Sequence, residues 1–300
     1  MTQMTRRSLE RDTGAVSFLE WCPPSGEHRP ALHFAHATGF NAHTYKELLS
    51  PLAAQFHVWA SDARGHGTTD LPTPEEMAQD WSIYRDDLIH VLETIVHETG
   101  EPVLLAGHSM GGTTSMMAAV KRPDLVRGLA LLDPVLIPRS AYSLVHWAHL
   151  LHLPSPGGAS SLATSARRRR TDWPSRETAI RAWQGKGAFR SWPETMLRDY
   201  VEDGMRDTKD GVTLSCRPAW EAATFESRSH NALKLIRQMS HSFAVLYAQT
   251  GSTCRPLTRV ALRQKRSLAF MECCLGASHF LPMEKPEHAR NVIERLSALC

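Results

Sequence analysis

The sequence has no run near the roughly 18 apolar residues a membrane-spanning helix needs, so no transmembrane segment is expected. Its start, MTQMTRRSLERDTGAVSF, carries arginines but no apolar stretch after them. An export signal needs that stretch, and a cytoplasmic protein is the expectation. The six cysteines (Cys22, Cys216, Cys254, Cys273, Cys274 and Cys300) include no C-x-x-C pair and no zinc-ligand spacing. Adjacent Cys273 and Cys274 are badly placed to bridge. Free thiols in a reducing compartment follow, and neither a metal nor another cofactor is expected. A formal net charge of +3 is too small to argue for a nucleic-acid partner. No internal repeat is visible, which sets solenoids aside. What remains is a globular chain long enough for one large domain or a core with an insertion.

Short apolar runs alternate with helical patterns, the signature of a parallel sheet with crossover helices. Strands are predicted at 16–21, 31–35, 56–61, 103–106, 129–132, 243–248 and 268–273. Val103-Leu-Leu-Ala-Gly107 is apolar throughout, as a strand buried on both faces should be. Helices are predicted over 83–97, where Leu88, Ile89, Leu92, Ile95 and Val96 follow a helical period, over 110–120, and over 286–299. The fold class is therefore α/β with a mostly parallel, doubly wound sheet. The core is assigned to 1–135 and 221–300. Residues 136–220 read as a helical insertion, with helices around 175–183 and 192–205 and no strand alternation. Within it, PSPGGASSLATSA reads as a loop.

Gly107-His108-Ser109-Met110-Gly111 is a G-x-S-x-G segment between a predicted strand and a predicted helix. The chain turns sharply there, and side chains in place of the glycines would collide. The turn lifts Ser109 Oγ above the sheet edge. It also sets the Met110 N–H at a helix start, where it can bond a developing oxyanion. Ser109 is therefore the candidate nucleophile.

GHSMGG, SDARGHG, HATGF and GASHFLPMEKPEHA, in this order and spacing, resemble the α/β-hydrolase superfamily. The resemblance covers 31–135 and 243–299 and is loose over the insertion, which resembles the helical cap of many members. It implies a hydrolase whose general base lies on the loop after the last strand, at His279. It makes His36-Ala37-Thr38-Gly39-Phe40 an oxyanion loop with Thr38 N–H as second donor and Ala37 in place of the usual glycine. His108 and His66 read as packing or turn residues. His36 and Phe40 are candidate substrate contacts.

The third member of the triad departs from the pattern. The loop after the penultimate strand usually carries the acid, yet no Asp or Glu occurs between Phe243 and Phe270. Asp133, after the 129–132 strand, fits a variant with the acid one strand earlier, and carboxyl ends of strands face the site in open α/β sheets. Glu221, Glu226 or no acid at all are the alternatives.

The insertion contributes Trp147, Trp173, Trp183 and Trp192. Trp147 and Trp183 are candidate substrate contacts, for a small molecule with an apolar acyl or aromatic part. The run Arg167–Arg170 reads as a solvated face or an anion attractor. The expected reaction is hydrolysis of an ester, thioester or lactone through an acyl-enzyme. A carbon–carbon hydrolase, a cofactor-free perhydrolase and a non-catalytic binding protein with the same fold stay open, as does the oligomeric state.

Overall fold

The computed structural model describes residues 3–137, 159–227 and 230–300. Eight strands form the main sheet: β1 (Met4–Arg11), β2 (Gly14–Trp21), β3 (Ala31–Ala35), β4 (His57–Ser61), β5 (Val103–His108), β6 (Val126–Leu132), β10 (Ser242–Ala248) and β11 (Leu268–Cys274). Their order is β1-β2-β4-β3-β5-β6-β10-β11. The pairs of β1 with β2 and of β2 with β4 are antiparallel, and every later pair in the order is parallel. Helices cross over both faces, as parallel pairing demands.

β5 shows why its sequence is apolar throughout. Leu104 and Ala106 enter the hydrophobic core on one face, and Val103 and Leu105 enter the core on the other. The seven predicted strands all form, with ends shifted by three residues or fewer. The predicted helices form at Ser82–Thr99, Met110–Lys121 and Pro286–Ser297. Gly100 ends the first of these with φ 75°, a left-handed cap that glycine adopts freely.

Three expectations need correction. β1 was not anticipated, because MTRRSLER has no apolar run and most of this edge strand is exposed. Its arginines blunt an edge that would otherwise invite pairing. The stretch read as a loop instead holds the helix Ala159–Arg167. There Ala163 and Ala166 bury against Ala222 of the helix Pro218–Glu226, and small side chains let the two helices approach closely. The third correction is inside the insertion, which is not purely helical. β7 (Asp172–Trp173), β8 (Met205–Thr208) and β9 (Gly211–Leu214) form a small antiparallel sheet in the order β7-β9-β8. Its hairpin turns at Lys209-Asp210, between Thr208 and its partner Gly211. The insertion's helices Arg176–Trp183 and Glu194–Gly204 form where expected. Among the described residues no helix is long and apolar enough to cross a membrane.

Candidate active site

β5 hands the chain to the helix Met110–Lys121 through one residue, Ser109, whose φ is 56°. A non-glycine residue in that region is strained by roughly 1–3 kcal/mol and persists only where the surroundings enforce it. Here the flanking glycines do so by close approach. A Cβ on Gly107 would lie 2.6 Å from the Gly111 carbonyl carbon, and one on Gly111 would lie 2.1 Å from the Ala35 oxygen. The Ser109 N–H donates to Leu132 O at 3.0 Å, which fixes the turn against β6.

Three residues far apart in sequence meet at this turn. His279 Nε2 lies 3.0 Å from Ser109 Oγ, and His279 Nδ1 lies 2.6 Å from Asp133 Oδ2. A carboxylate only accepts, so Nδ1 carries the proton and Nε2 is free to accept from the serine hydroxyl. Asp133 follows β6 with φ 43° and is fully buried. Burial pushes its carboxyl pKa up, but the hydrogen bond and charge of His279, with help from Ser252 and Thr253, outweigh burial and hold it below the ordinary range.

The loop after β10, where the acid is usually found, has a different task. Its neutral residues, with the last residue of β10, point donors at Asp133. Ala248 N–H donates to Oδ1 at 3.1 Å, Thr253 N–H donates to Oδ2 at 3.0 Å, and Ser252 Oγ donates to Oδ1. Sequence reasoning missed Ser252 and Thr253. The available signal was hydroxyl and amide donors filling an acid-free loop beside a strand that ends in Asp. The other candidate acids are engaged elsewhere: Glu221 accepts from Arg169 at 2.7 Å and Glu226 from Arg167 at 2.8 Å. Arg167 and Arg169 are thus paired, not a free anion attractor.

Thr38 and Met110 face each other across the elbow, with the Thr38 hydroxyl donating to Met110 Sδ at 3.2 Å. Among the described residues neither backbone N–H has an acceptor. His36 must be corrected as a substrate contact. It is buried, its Nδ1 lies 2.7 Å from Ala37 O, and its Nε2 accepts from Ala63 N–H at 2.8 Å. Both ring nitrogens are spent bracing loops. His66 acts alike, accepting from Gly39 N–H at 2.9 Å. His108 ties the two sides of the site together. Its Nε2–H donates to the His279 carbonyl at 2.8 Å, so its Nδ1 accepts from Tyr45 Oη at 2.7 Å. Tyr45 Oη in turn accepts from Ala37 N–H at 3.1 Å.

These histidines are neutral because burial penalises their charged form. It lowers His33 and His66 to about 3, His36 and His230 to about 4, and His108 in the same direction. In the unfolded chain each titrates near 6.5, so below that pH the unfolded state binds more protons and stability falls as the pH falls. Stability is full above about pH 6.5 and is lost as the pH falls toward about 4. Domains have only about 5–15 kcal/mol to lose, so the melting temperature should fall as the pH drops from 6.5 to 4.5. A flat melting temperature over that range would overturn this account.

Aromatic side chains stand beside His279. Phe280 is its neighbour in sequence, and Phe40 lies 6.1 Å from Phe280 and 6.4 Å from His108 between ring centroids. Trp192 completes the group, 5.2 Å from Phe40 and 5.8 Å from Phe280. Its indole nitrogen is buried with no hydrogen-bond partner among the described residues. Trp183 stacks on Phe189 at 5.5 Å and meets Trp173 edge-on at 5.2 Å, with Tyr200 between it and Phe40. Trp147 lies outside the described residues.

A family model described as serine aminopeptidase, S33 matches residues 26–190. Monoglyceride lipase from Rattus norvegicus is 32% identical over 135 residues, 44% of either chain. A 2-(acetamidomethylene)succinate hydrolase from Mesorhizobium japonicum is 36% identical over 104 residues, 35% of either chain. The matched stretch thus spans less than half the length of these curated relatives. Among solved structures, E-2-(acetamidomethylene)succinate hydrolase superposes with a TM-score of 0.77 at 19% identity, covering 99% of this chain and all of its own. A thioesterase domain from the curacin biosynthetic pathway gives 0.76 at 18% identity, covering 98% of this chain and 99% of its own. At such identities the likeness is one of fold.

Proposed function

The chain belongs to the serine aminopeptidase S33 family of α/β hydrolases, and we propose that within it this protein is a serine hydrolase cleaving a carboxylic ester, thioester or lactone. The observation that carries the proposal is the pair of bonds at His279, 3.0 Å to Ser109 Oγ and 2.6 Å to Asp133 Oδ2.

A serine hydroxyl is a poor nucleophile until a base takes its proton. As Ser109 Oγ attacks the substrate carbonyl carbon, its proton passes to His279 Nε2. The imidazolium that results is stabilised by the Asp133 carboxylate. The carbonyl oxygen becomes an oxyanion held by Thr38 and Met110 N–H, and each such donor is worth roughly 3–4 kcal/mol of barrier. Collapse expels the alcohol or thiol, which leaves with the proton from His279. Water then repeats the sequence on the acyl-enzyme, with His279 again as base, and frees the acid and Ser109.

Phe40, Trp192 and Phe280 support an apolar acyl or aromatic part in the substrate, and the unpartnered Trp192 N–H suits an acceptor oxygen within it. Residues 136–220 would act as a cap that keeps water from the site. The family's relatives bear names that span both apolar and charged substrates, a glyceride in one and a substituted succinate in the other.

A fluorophosphonate probe tests the reaction class. Wild type should label stoichiometrically, and Ser109→Ala should not label at all. If wild type stays unlabelled while folded, the protein is a binding module on a hydrolase fold and the proposal falls.

A further inference from the structure

Away from the catalytic end of the sheet, a second group of chemically active side chains converges. β2 and β4 run antiparallel, with Glu20 opposite Trp59 and Trp21 opposite Val58. Continuing that register one step sets Cys22 opposite His57. Alternation along a strand puts Glu20 and Cys22 on one face, and His57 and Trp59 on the same face of the partner. One oxygen of Glu20, the Cys22 sulfur and one nitrogen of His57 all lie within 4.8 Å of one another. From this geometry we infer that Glu20, Cys22 and His57 form a binding site for a divalent transition metal, zinc in the first place.

The chemistry of the donors selects the ion. Thiolate, imidazole and carboxylate together suit zinc, whereas magnesium and calcium prefer oxygen alone. Zinc holds its ligands at about 2.0–2.3 Å, so neighbouring donors sit about 3.5 Å apart in a tetrahedron. Cys22 lies just beyond the end of β2 and is exposed, so its side chain is free to rotate inward. Glu20 and His57 are already oriented. His57 Nε2 lies 2.7 Å from Glu20 Oε1, and the His57 ring stacks on Trp59 with centroids 3.6 Å apart.

The charges balance as well. Arg7 contacts the second oxygen of Glu20 at 3.0 Å, which at first counts against a cation. Yet Arg7 also makes two bonds to Glu98, at 2.7 and 3.0 Å, and Glu98 offsets its charge. Glu20 and a Cys22 thiolate then carry two negative charges against the ion's two positive ones. Binding releases the thiol proton of Cys22. His57 stays neutral: the Nε2 proton that bonds Glu20 before the ion enters moves to Nδ1 through solvent, and the freed Nε2 lone pair turns to the ion. A water fills the fourth position. The site escaped sequence reading because its ligands come from two strands that are distant in the chain, so no short spacing announces it.

The test uses the full-length protein and cobalt(II) as a spectroscopic stand-in for zinc. Wild type should show a thiolate-to-cobalt charge-transfer band and the d–d bands of a four-coordinate ion, and both should vanish when zinc is added. Loss of a group that merely orients a ligand costs roughly 10–100-fold in metal affinity. Cys22→Ser and His57→Gln should therefore each bind at least about tenfold more weakly, and Cys300→Ser should bind as wild type. Zinc should raise the melting temperature of wild type but not of Cys22→Ser. An absent thiolate band in wild type overturns the site, and so does a band that survives Cys22→Ser. Neither readout depends on hydrolysis, so failure here leaves the proposed reaction untouched.

Discussion

Ser109→Ala is expected to lower kcat by about 10⁶ with any ester that wild type turns over, because loss of a serine nucleophile of this kind costs that much in the nearest analogy. The size follows from the geometry. His279 Nε2 is 3.0 Å from Ser109 Oγ and has no other hydroxyl among the described residues to deprotonate. Without Oγ, only water attack assisted by the oxyanion donors remains, which leaves roughly 10³–10⁴ over the uncatalysed reaction. The substitution should not disturb the fold. Alanine suffers the same strain at φ 56° as serine, and among the described residues Oγ has His279 as its hydrogen-bond partner. The melting temperature should therefore stay within a few degrees of wild type. Steady-state kinetics with a chromogenic ester checks the first statement and a thermal melt the second. A residual kcat within a hundredfold of wild type, in a folded variant, would mean that Ser109 is not the attacking group.

Much of this site was legible because its constraints are local. Gly107 and Gly111 must be glycines for Ser109 to hold its angle, and a buried strand must be apolar on both faces, so the β5 turn announces itself within ten residues. His279 was legible only through its resemblance to a known loop, since one histidine among 16 carries no signal of its own. The parts that were missed are long-range. His36 looked like a substrate contact because it follows β3 at the rim. Only the fold shows that Ala37 O and Ala63 N–H occupy both of its nitrogens. Ser252 and Thr253 gain their meaning from Asp133, which follows a strand over a hundred residues earlier. β1 was missed because a polar edge strand leaves no apolar pattern, and the small sheet β7-β9-β8 because its strands of two and four residues are too short to show one.

Asp133→Asn is expected to lower kcat by about 10⁴, the loss seen when a buried triad carboxylate becomes an amide. The buried donors around Asp133 explain why a change of one atom costs so much. Both carboxylate oxygens are fully used: Oδ1 accepts from Ala248 N–H and Ser252, and Oδ2 accepts from Thr253 N–H and His279. An asparagine can offer only one accepting oxygen. With its oxygen toward Ala248 and Ser252, its amide hydrogens face Thr253 N–H and His279. His279 Nδ1 must then accept, its proton moves to Nε2, and Nε2 can no longer take the proton of Ser109. With the oxygen reversed, the amide hydrogens meet the Ala248 N–H, a buried donor that loses its acceptor, and the Ser252 hydroxyl must turn to accept. Either arrangement also removes the charge that stabilises the imidazolium. Most of the loss should appear in kcat, with KM little changed, because the carboxylate does not touch substrate. Glu221→Gln is the informative companion, since Glu221 pairs with Arg169 in the structure. It should retain kcat within about tenfold, roughly 1.4 kcal/mol of barrier, because Glu221 bonds Arg169 and not His279. A loss under tenfold in Asp133→Asn, together with a large loss in Glu221→Gln, would move the acid to Glu221. Small losses in both would leave His279 working as half of a dyad.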